Sequence, residues 1–536
     1  MKVEGFFVEE KEKARTSKPE RVRWKTRGLY NLYFYYLILM KQKTNSRRTF
    51  IKKSMTAGAG ITIVPSFAVS GLGHKAPSDK LNIVGIGVGG KGYGNLTAMN
   101  TENIIGLCDI DWNYSQRCFD TFPKAKKYYD WRKMFDELGD SMDAVMVATA
   151  DHTHAVIAAT AMTMNKHIYC QKPLTHTVYE SRLLTKLAEL YPVATQMGNQ
   201  GNSGDGVRLL CEWVWNGEIG DVVEAHAWTD RPIWPQGLER PKEAMDIPKN
   251  FNWDLFVGPA PMRPYHESYT PWNWRGFWDF GTGAFGDMAC HVMDPIYRAL
   301  KLKYPEAISG SSTTANTESA PNAEKVRFDF PARENMDKIK MPAVKVHWYD
   351  GGFLPDRPEL LEDGRPLIND GLGGCLLIGT KDTLICDCGG FNPRLLSGRI
   401  PEVTPYLRRV PGSVDYSNGP HEQDWIRACK ESPENRTEGS ASFDYSGPFN
   451  EMVLLGVLAI RLQGLNKILK WDGESMKFIN ISPNEKMKVV ETFGFEMVKS
   501  RPKWNVEHVE LNALESANEY IKHTYNNGWS LPEMPI

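Results

Sequence analysis

Several classes of protein are excluded by what these 536 residues lack. Basic and acidic side chains nearly cancel, 64 against 65, so the chain has none of the positive excess that draws a protein to nucleic acid. No apolar run approaches the roughly 18 residues of a membrane-spanning helix, and the patch from Leu29 to Met40 is too short. The nine cysteines are odd in number, scattered, and contain no C-x-x-C pair, so they form neither a disulfide framework nor a zinc ribbon. Buried thiols in apolar strands are the reading they support. Asp151, His152, His154 and the pair His421-Glu422 are metal-ligand types, but there is no H-E-x-x-H and no three-histidine cluster, so no metal is expected. Repeats and low-complexity segments are absent as well.

What is present begins with Leu81 to Ile86, a short apolar run that reads as a buried parallel strand. It leads into Gly87-Val88-Gly89-Gly90-Lys91-Gly92, a G-x-G-x-x-G turn opening a helical pattern. Gly87 permits the tight turn, Gly89 lets backbone approach a pyrophosphate, and Gly92 allows close packing of helix on strand. A register on Gly85, Gly87 and Gly90 fits the letters but ends the strand too early. A second apolar run, Ile104 to Cys108, ends in Asp109, about 20 residues beyond the middle glycine, where an acid meets the ribose hydroxyls. Ile110, Asp111 and Trp112 include no cation for a 2′-phosphate, which favours NAD over NADP.

Ahead of this unit, Ser46-Arg47-Arg48-Thr49-Phe50-Ile51-Lys52 resembles the twin-arginine export consensus. A weakly apolar stretch from Met55 to Val69 follows, and Ala68-Val69-Ser70 offers the small residues a signal peptidase needs. Residues 1–78 are expected to be an extension and export signal, with Met40 as the working start, and the protein to be periplasmic. Outside the cytoplasm no nicotinamide pool is replenished, so the cofactor is expected to be tightly bound.

Strand-like and helix-like segments alternate from Lys80 to Gly198, with strands expected at Asp143 to Thr149, His167 to Cys170 and Val193 to Gly198. That is the pattern of a doubly wound parallel sheet, a Rossmann domain over residues 79–200. Residues 201–536 have another texture. Strand-like runs at Glu218 to Asp230, Glu324 to Phe330, Ala343 to Tyr349, Cys375 to Gly379 and Leu384 to Cys386 predict an α+β domain with a predominantly antiparallel open sheet. Helices are expected at Asn450 to Gln463 and Ser516 to Tyr525.

Chemistry points to two places. Lys172 follows a strand and precedes Pro173, which disfavours helical geometry at the lysine, at the sheet edge where ligands bind in open α/β folds. Gly281 to Asp294 reads as a glycine-rich loop entering a helix with Asp287, His291 and Asp294 on one stripe. These residues resemble the Gfo/Idh/MocA family of nicotinamide-dependent sugar oxidoreductases. Gln171-Lys172-Pro173 corresponds to its E-K-P, and Asp287 and His291 to its D-x-x-x-H helix. Gln171 in place of Glu leaves less negative charge beside Lys172, and Ala150 stands where a proline often opens the nicotinamide-side loop. The resemblance implies His291 as general base, Lys172 as stabiliser of alkoxide charge, Asp287 as the residue orienting the sugar or His291, and Asp151 and His154 beside the cofactor. Gly87, Gly89, Gly90, Gly92, Asp109 and Lys172 complete its cofactor set.

Six tryptophans between Trp228 and Trp278 favour a carbohydrate ligand, since pyranose C–H faces pack on indole. Arg231, Trp234, Trp274, Asp294 and His421 are the substrate-side candidates. The expectation is an exported NAD-dependent oxidoreductase acting on a ring hydroxyl of a sugar or glycoside, and a homo-oligomer. A glycosidase working by transient oxidation, elimination and re-reduction is the alternative, and a catalytically silent sugar-binding protein stands third.

Overall fold

Apolar runs bounded by glycine become the strands of a six-stranded sheet. In chain order they are β1 (Asn82–Ile86), α1 (Gly90–Ala98), β2 (Asn103–Cys108), α2 (Gln116–Thr121), β3 (Lys126–Tyr128), α3 (Trp131–Leu138), β4 (Ala144–Val147), α4 (Asp151–Thr163), β5 (His167–Cys170), α5 (Val178–Leu190) and β6 (Thr195–Met197). This computed structural model describes residues 79–368, 372–413 and 419–535, so the export motif at 46–52 and the small-residue stretch at 68–70 lie outside it. The strand order is β3-β2-β1-β4-β5-β6, and every pairing is parallel. All four residues of β4 are buried, as a strand covered by helices on both faces requires. The chain reverses its direction of winding between β1 and β4, which opens a crevice at their carboxyl ends.

A second sheet follows. Its elements are α6 (Asp205–Trp215), β7 (Val222–Trp228), α7 (Trp253–Val257), α8 (Gly283–Val292), α9 (Asp294–Ala299), β8 (Ala307–Ser312), β9 (Glu324–Phe330), β10 (Val344–Tyr349), β11 (Gly374–Gly379), β12 (Thr383–Asp387), β13 (Arg394–Leu395), α10 (Pro420–Lys430), α11 (Phe443–Arg461), β14 (Leu469–Asp472) and β15 (Lys477–Phe478). The order is β13-β12-β11-β7-β10-β9-β8-β14-β15. Only β7 and β10 among these neighbours run parallel, and the rest that pair do so antiparallel. Strand alternation sets the inner face. Val344, Val346 and Trp348 of β10 are buried while Lys345, His347 and Tyr349 turn outward. Phe285 of α8 meets Trp348 edge-on, ring centroids 4.9 Å apart, and this contact seats α8 on the sheet. α11 packs against α5, α8 and β8, tying the two sheets into one core.

The sequence pattern misplaces three features. α11 starts at Phe443 rather than Asn450, because Pro448 falls early in the helix, where few intrahelical bonds are lost. The last helix, following the ribbon β16 (Lys486–Val498) and β17 (Arg501–Asn512), is α12 (Ala513–Ile521), capped by Asn512, whose side chain accepts from the Glu515 amide. The ribbon itself is a long hairpin that the sequence reading did not anticipate.

Candidate functional site

The glycine turn is built as its spacing requires. Gly87 has φ +74°, a left-handed conformation that favours glycine, and a Cβ there would sit 2.5 Å from the Ala148 carbonyl oxygen. A Cβ on Gly92 would lie 2.0 Å from the Gly87 carbonyl oxygen, so α1 can approach β1 only without a side chain. The first turn of α1 has no side-chain cap, leaving its amides for an anion. Asp109 lines the same cleft, its carboxylate accepting from the amides of Val88 (2.7 Å), Gly89 (3.1 Å) and Asp111 (2.9 Å). Burial raises its pKa. The ring of Tyr114 lies over Gly89 and Gly90 and forms a wall of the cleft there. By type these residues fit a dinucleotide: glycines at the turn, first-turn amides of α1 without a side-chain cap, and an acid, in one crevice at the switch point.

Lys172 stands at the other end of this cleft, in the connection between β5 and α5. Its neighbours hold that segment firmly. The Leu174 amide donates to Asn450 Oδ1 (3.1 Å), and His154 Nδ1 lies 2.8 Å from the Pro173 carbonyl. A capping box at Thr177 and Glu180 closes the start of α5, a device whose loss costs about 1 kcal/mol. The Lys172 ammonium donates to Asp287 Oδ1 at 2.7 Å and to the Asp287 carbonyl at 3.1 Å. Arg275 Nε reaches the same Oδ1 at 3.1 Å. Burial works to raise the Asp287 pKa, but Lys172 and Arg275 outweigh it and hold the carboxyl down at about 2. Gln171 turns away, donating to Asn95 (3.0 Å), so the countercharge of Lys172 is Asp287.

His291 lies one helical turn beyond Asp287. Burial, then the charge of Lys172, depresses its pKa to about 3, against the near-neutral value expected for an unperturbed imidazole. The ring is therefore neutral near pH 7.

Asp287, His291 and Gly92 lie just behind the cleft wall rather than in it, and six further expected positions are not in it either. Asp151 is buried behind it, accepts from Thr282 Oγ1 (2.9 Å), and has its pKa raised to about 7 by burial and then by Asp287. His154 is buried between the carbonyls of Pro173 and Thr149, the second at 3.1 Å, and so braces the loop. Asp294 does not share the helix of Asp287, because α8 ends at Val292 and Asp294 opens α9. There it accepts from Asn202 (2.9 Å) and Tyr445 (2.5 Å). His421 is fully buried, with Nδ1 2.6 Å from Ser203 Oγ and Nε2 2.7 Å from the Met197 carbonyl, so no ring atom remains for a ligand. Trp234 is packed in the core with its indole N–H on Gln236 (2.9 Å). Arg231 pairs with its neighbour Asp230 away from the cleft. Of the substrate candidates Trp274 alone lines it.

Other residues take those places. The Arg275 guanidinium is stacked between Trp272 and Trp274, 4.1 and 4.3 Å from their ring centroids, at the cleft mouth. Lys91, inside the glycine motif, faces the cleft. Desolvation and the charge of Lys172 lower its pKa, while Glu422 opposes them. Trp131 and Trp529 line the end near Asp109. A basic or aromatic residue flanking the motifs was the available signal for Lys91 and Arg275. Trp529 had none. Among the described residues no group of three potential ligands is placed to hold a metal ion.

Comparison with known proteins places this architecture. Residues 80–199 match the Gfo/Idh/MocA description "Oxidoreductase family, NAD-binding Rossmann fold", and residues 221–328 its "Oxidoreductase family, C-terminal alpha/beta domain". Glucose-6-phosphate 3-dehydrogenase of Bacillus subtilis is 27% identical over 141 residues, 26% of this chain and 39% of that protein. Glycosyl hydrolase family 109 protein 2 of Akkermansia muciniphila is 28% identical over 168 residues, 29% of this chain and 35% of that one. The chain thus spans less than half the length of these curated relatives. An NAD-binding oxidoreductase from Klebsiella pneumoniae superposes with TM-score 0.49 at 17% identity, covering 73% of this chain and 99% of that one.

Proposed function

We propose, for a chain carrying both the NAD-binding and the C-terminal domain of the Gfo/Idh/MocA oxidoreductase family, that it moves hydride between a ring hydroxyl of a sugar or glycoside and a tightly held NAD. The observation that carries the reading is Lys172, which lines the same cleft as the glycine turn at the carboxyl edge of the parallel sheet and is paired there with Asp287, one helical turn before His291. NAD would supply the hydride acceptor when bound. Asp109 and Asp111 present carboxylates and no cation where a 2′-phosphate would lie, which supports NAD over NADP. Neutral His291 accepts the hydroxyl proton, and the Lys172 ammonium donates a hydrogen bond to the same oxygen as negative charge grows on it. Asp287 holds the Lys172 ammonium in place. Trp272 and Trp274, clamping Arg275, give a sugar an apolar face beside a cation.

Screening monosaccharides and glycosides for NADH formation under single-turnover conditions tests this, with His291→Ala as control. Formation by the wild type and its loss in the variant are expected. Formation at an unchanged rate in the variant would overturn the assigned chemistry.

The similarity to a glycosyl hydrolase favours a second reading, in which the same residues oxidise the sugar transiently, the glycosidic bond is eliminated and hydride returns. Release of aglycone from an aryl glycoside with no net NADH would decide for it. Export by the twin-arginine route and a homo-oligomeric state belong to the same proposal. The ribbon of β16 and β17, with Phe495 and Trp504 exposed on one face, supports self-association.

A further inference from the structure

The C-terminal segment after α12 crosses from the second sheet's layer onto the dinucleotide-binding half. Three groups of contacts pin it. The Tyr525 hydroxyl donates to Glu180 Oε1 at 2.7 Å. The Asn526 amide donates to the Pro259 carbonyl at 2.9 Å, and the Asn527 side chain donates to the carbonyls of Gly258 and Ala260, both at 2.9 Å. The chain then turns on two left-handed residues, Asn527 (φ 56°) and Gly528 (φ 79°), closed by the Trp529 amide on the Asn526 carbonyl at 3.0 Å. Asn and Gly are the residue types that tolerate such a turn. It delivers Trp529 to α3, where its ring centroid is 5.9 Å from that of Trp131 and the Arg132 guanidinium covers its face at 4.4 Å. Both indoles line the cleft at the end that holds Asp109, Tyr129 and Asp130. The loop at 258–260 follows α7, whose Leu255 and Phe256 line the cleft, and Trp131 of α3 lines it too, so the segment joins two elements of the cleft wall.

We infer that this segment is a strap over the adenosine half of the cofactor, and that Trp529 is a cofactor-retaining residue. The inference rests on the reading of the cleft as an NAD site. With the ribose at Asp109, the adenine lies beside the ends of β2 and β3, against Trp131 and Trp529. A purine presents two apolar faces and stacks on indole with useful energy. Leaving the cleft then requires Trp529 to part from Trp131 or the ligand to slide past both. A strap held by hydrogen bonds from Asn526 and Asn527 to three carbonyls slows that exit without touching the reacting end, where Lys172 and Asp287 meet.

The test is the dissociation rate of NADH from full-length protein, read by fluorescence after dilution into excess unlabelled NAD, for wild type, Trp529→Ala, Trp529→Phe and Asn527→Ala. Trp529→Ala is expected to release NADH at least tenfold faster, Asn527→Ala several-fold faster, and Trp529→Phe to lie near wild type. Affinity for ADP-ribose should fall in parallel in Trp529→Ala, whereas affinity for nicotinamide mononucleotide stays within twofold. An unchanged NADH release rate in Trp529→Ala, or an equal loss for both half-molecules, overturns the strap. A wild type that takes up no NADH fails at the earlier step and overturns the cofactor reading, and the strap with it.

Discussion

The Lys172 ammonium lies 2.7 Å from Asp287 Oδ1, and this contact joins the carboxyl edge of the parallel sheet to a helix of the second sheet's layer. Both side chains are largely buried, so the pair is worth more than a surface contact and its loss leaves a charge uncompensated. Lys172→Met is expected to destabilise the fold by up to about 3–5 kcal/mol, reduced by the remaining Arg275 contact, and Asp287→Asn by a comparable amount. Denaturant titrations of both variants and the double variant check this. Strict additivity in the double variant would show that the two do not interact.

Asp287 also predicts a direction in acid. Its folded pKa, about 2, lies below the ordinary aspartate value. Its stabilising contribution is therefore complete above about pH 4 and lost as pH falls through 2. Asp287→Asn should flatten acid unfolding in that window and leave the slope above pH 4 unaltered.

At milder pH the buried histidines act against buried acids: Asp151 and Glu180, raised to about 7 chiefly by burial, lose stability as pH rises, and the histidines gain it. Burial depresses His152, His154 and His167 to about 4 and His291 and His523 to about 3, all below the unfolded value near 6.5. The unfolded chain binds these protons first, so their contribution to stability rises with pH through the window from about 3 to 6.5 and falls on acidification from 6.5 downward. His167→Gln should therefore show a smaller loss of Tm on acidification from pH 6.5 to 4.5 than wild type, which a melting series over that range checks. The acid limb of kcat/KM, if it reports His291, should lie below pH 5, and a limb at 6.5 would contradict its burial beside Lys172.

Gly92 and Gly94 make a paired test on one helix. A Cβ at Gly92 would meet the Gly87 carbonyl at 2.0 Å, while at Gly94 it would meet nothing within 4 Å. Gly92→Ala should cost more than about 2 kcal/mol and abolish NAD uptake, because backbone must shift. Gly94→Ala should be neutral or stabilise by about 0.5–1 kcal/mol. Calorimetric melting of the two variants distinguishes them.

The features legible in the sequence are those set by local chemistry. The glycine spacing from Gly87 to Gly92, the acid at Asp109 and the four-residue step from Asp287 to His291 encode geometry within one turn or one helix. Histidines 154 and 421 misled because residue type does not reveal what a ring packs against. Each has both nitrogens within hydrogen-bonding distance of partners supplied by distant elements. Asp294 shows that spacing predicts a common stripe only within one helix, and here α8 ends at Val292 before Asp294 opens α9. Arg275 acquires its role only when Trp272 and Trp274 fold around it. Trp529 faces Trp131 from the opposite end of the chain, a relation no local pattern carries.

Arg275 holds the cleft mouth through two rings and one carboxylate. Its planar guanidinium suits stacking in a way an ammonium does not. Arg275→Lys is therefore expected to raise KM for the sugar about tenfold, close to the effect of Arg275→Ala. Steady-state kinetics at saturating NAD decide it, and a KM in Arg275→Lys equal to wild type would remove Arg275 from substrate recognition.

The most direct measurement is the nicotinamide content of the folded, purified protein. After denaturation and removal of the chain, the supernatant is assayed for NAD and NADH by enzymatic cycling. The account predicts close to one equivalent per chain, retained through gel filtration. A protein that yields none and takes up none from millimolar NAD would contradict it.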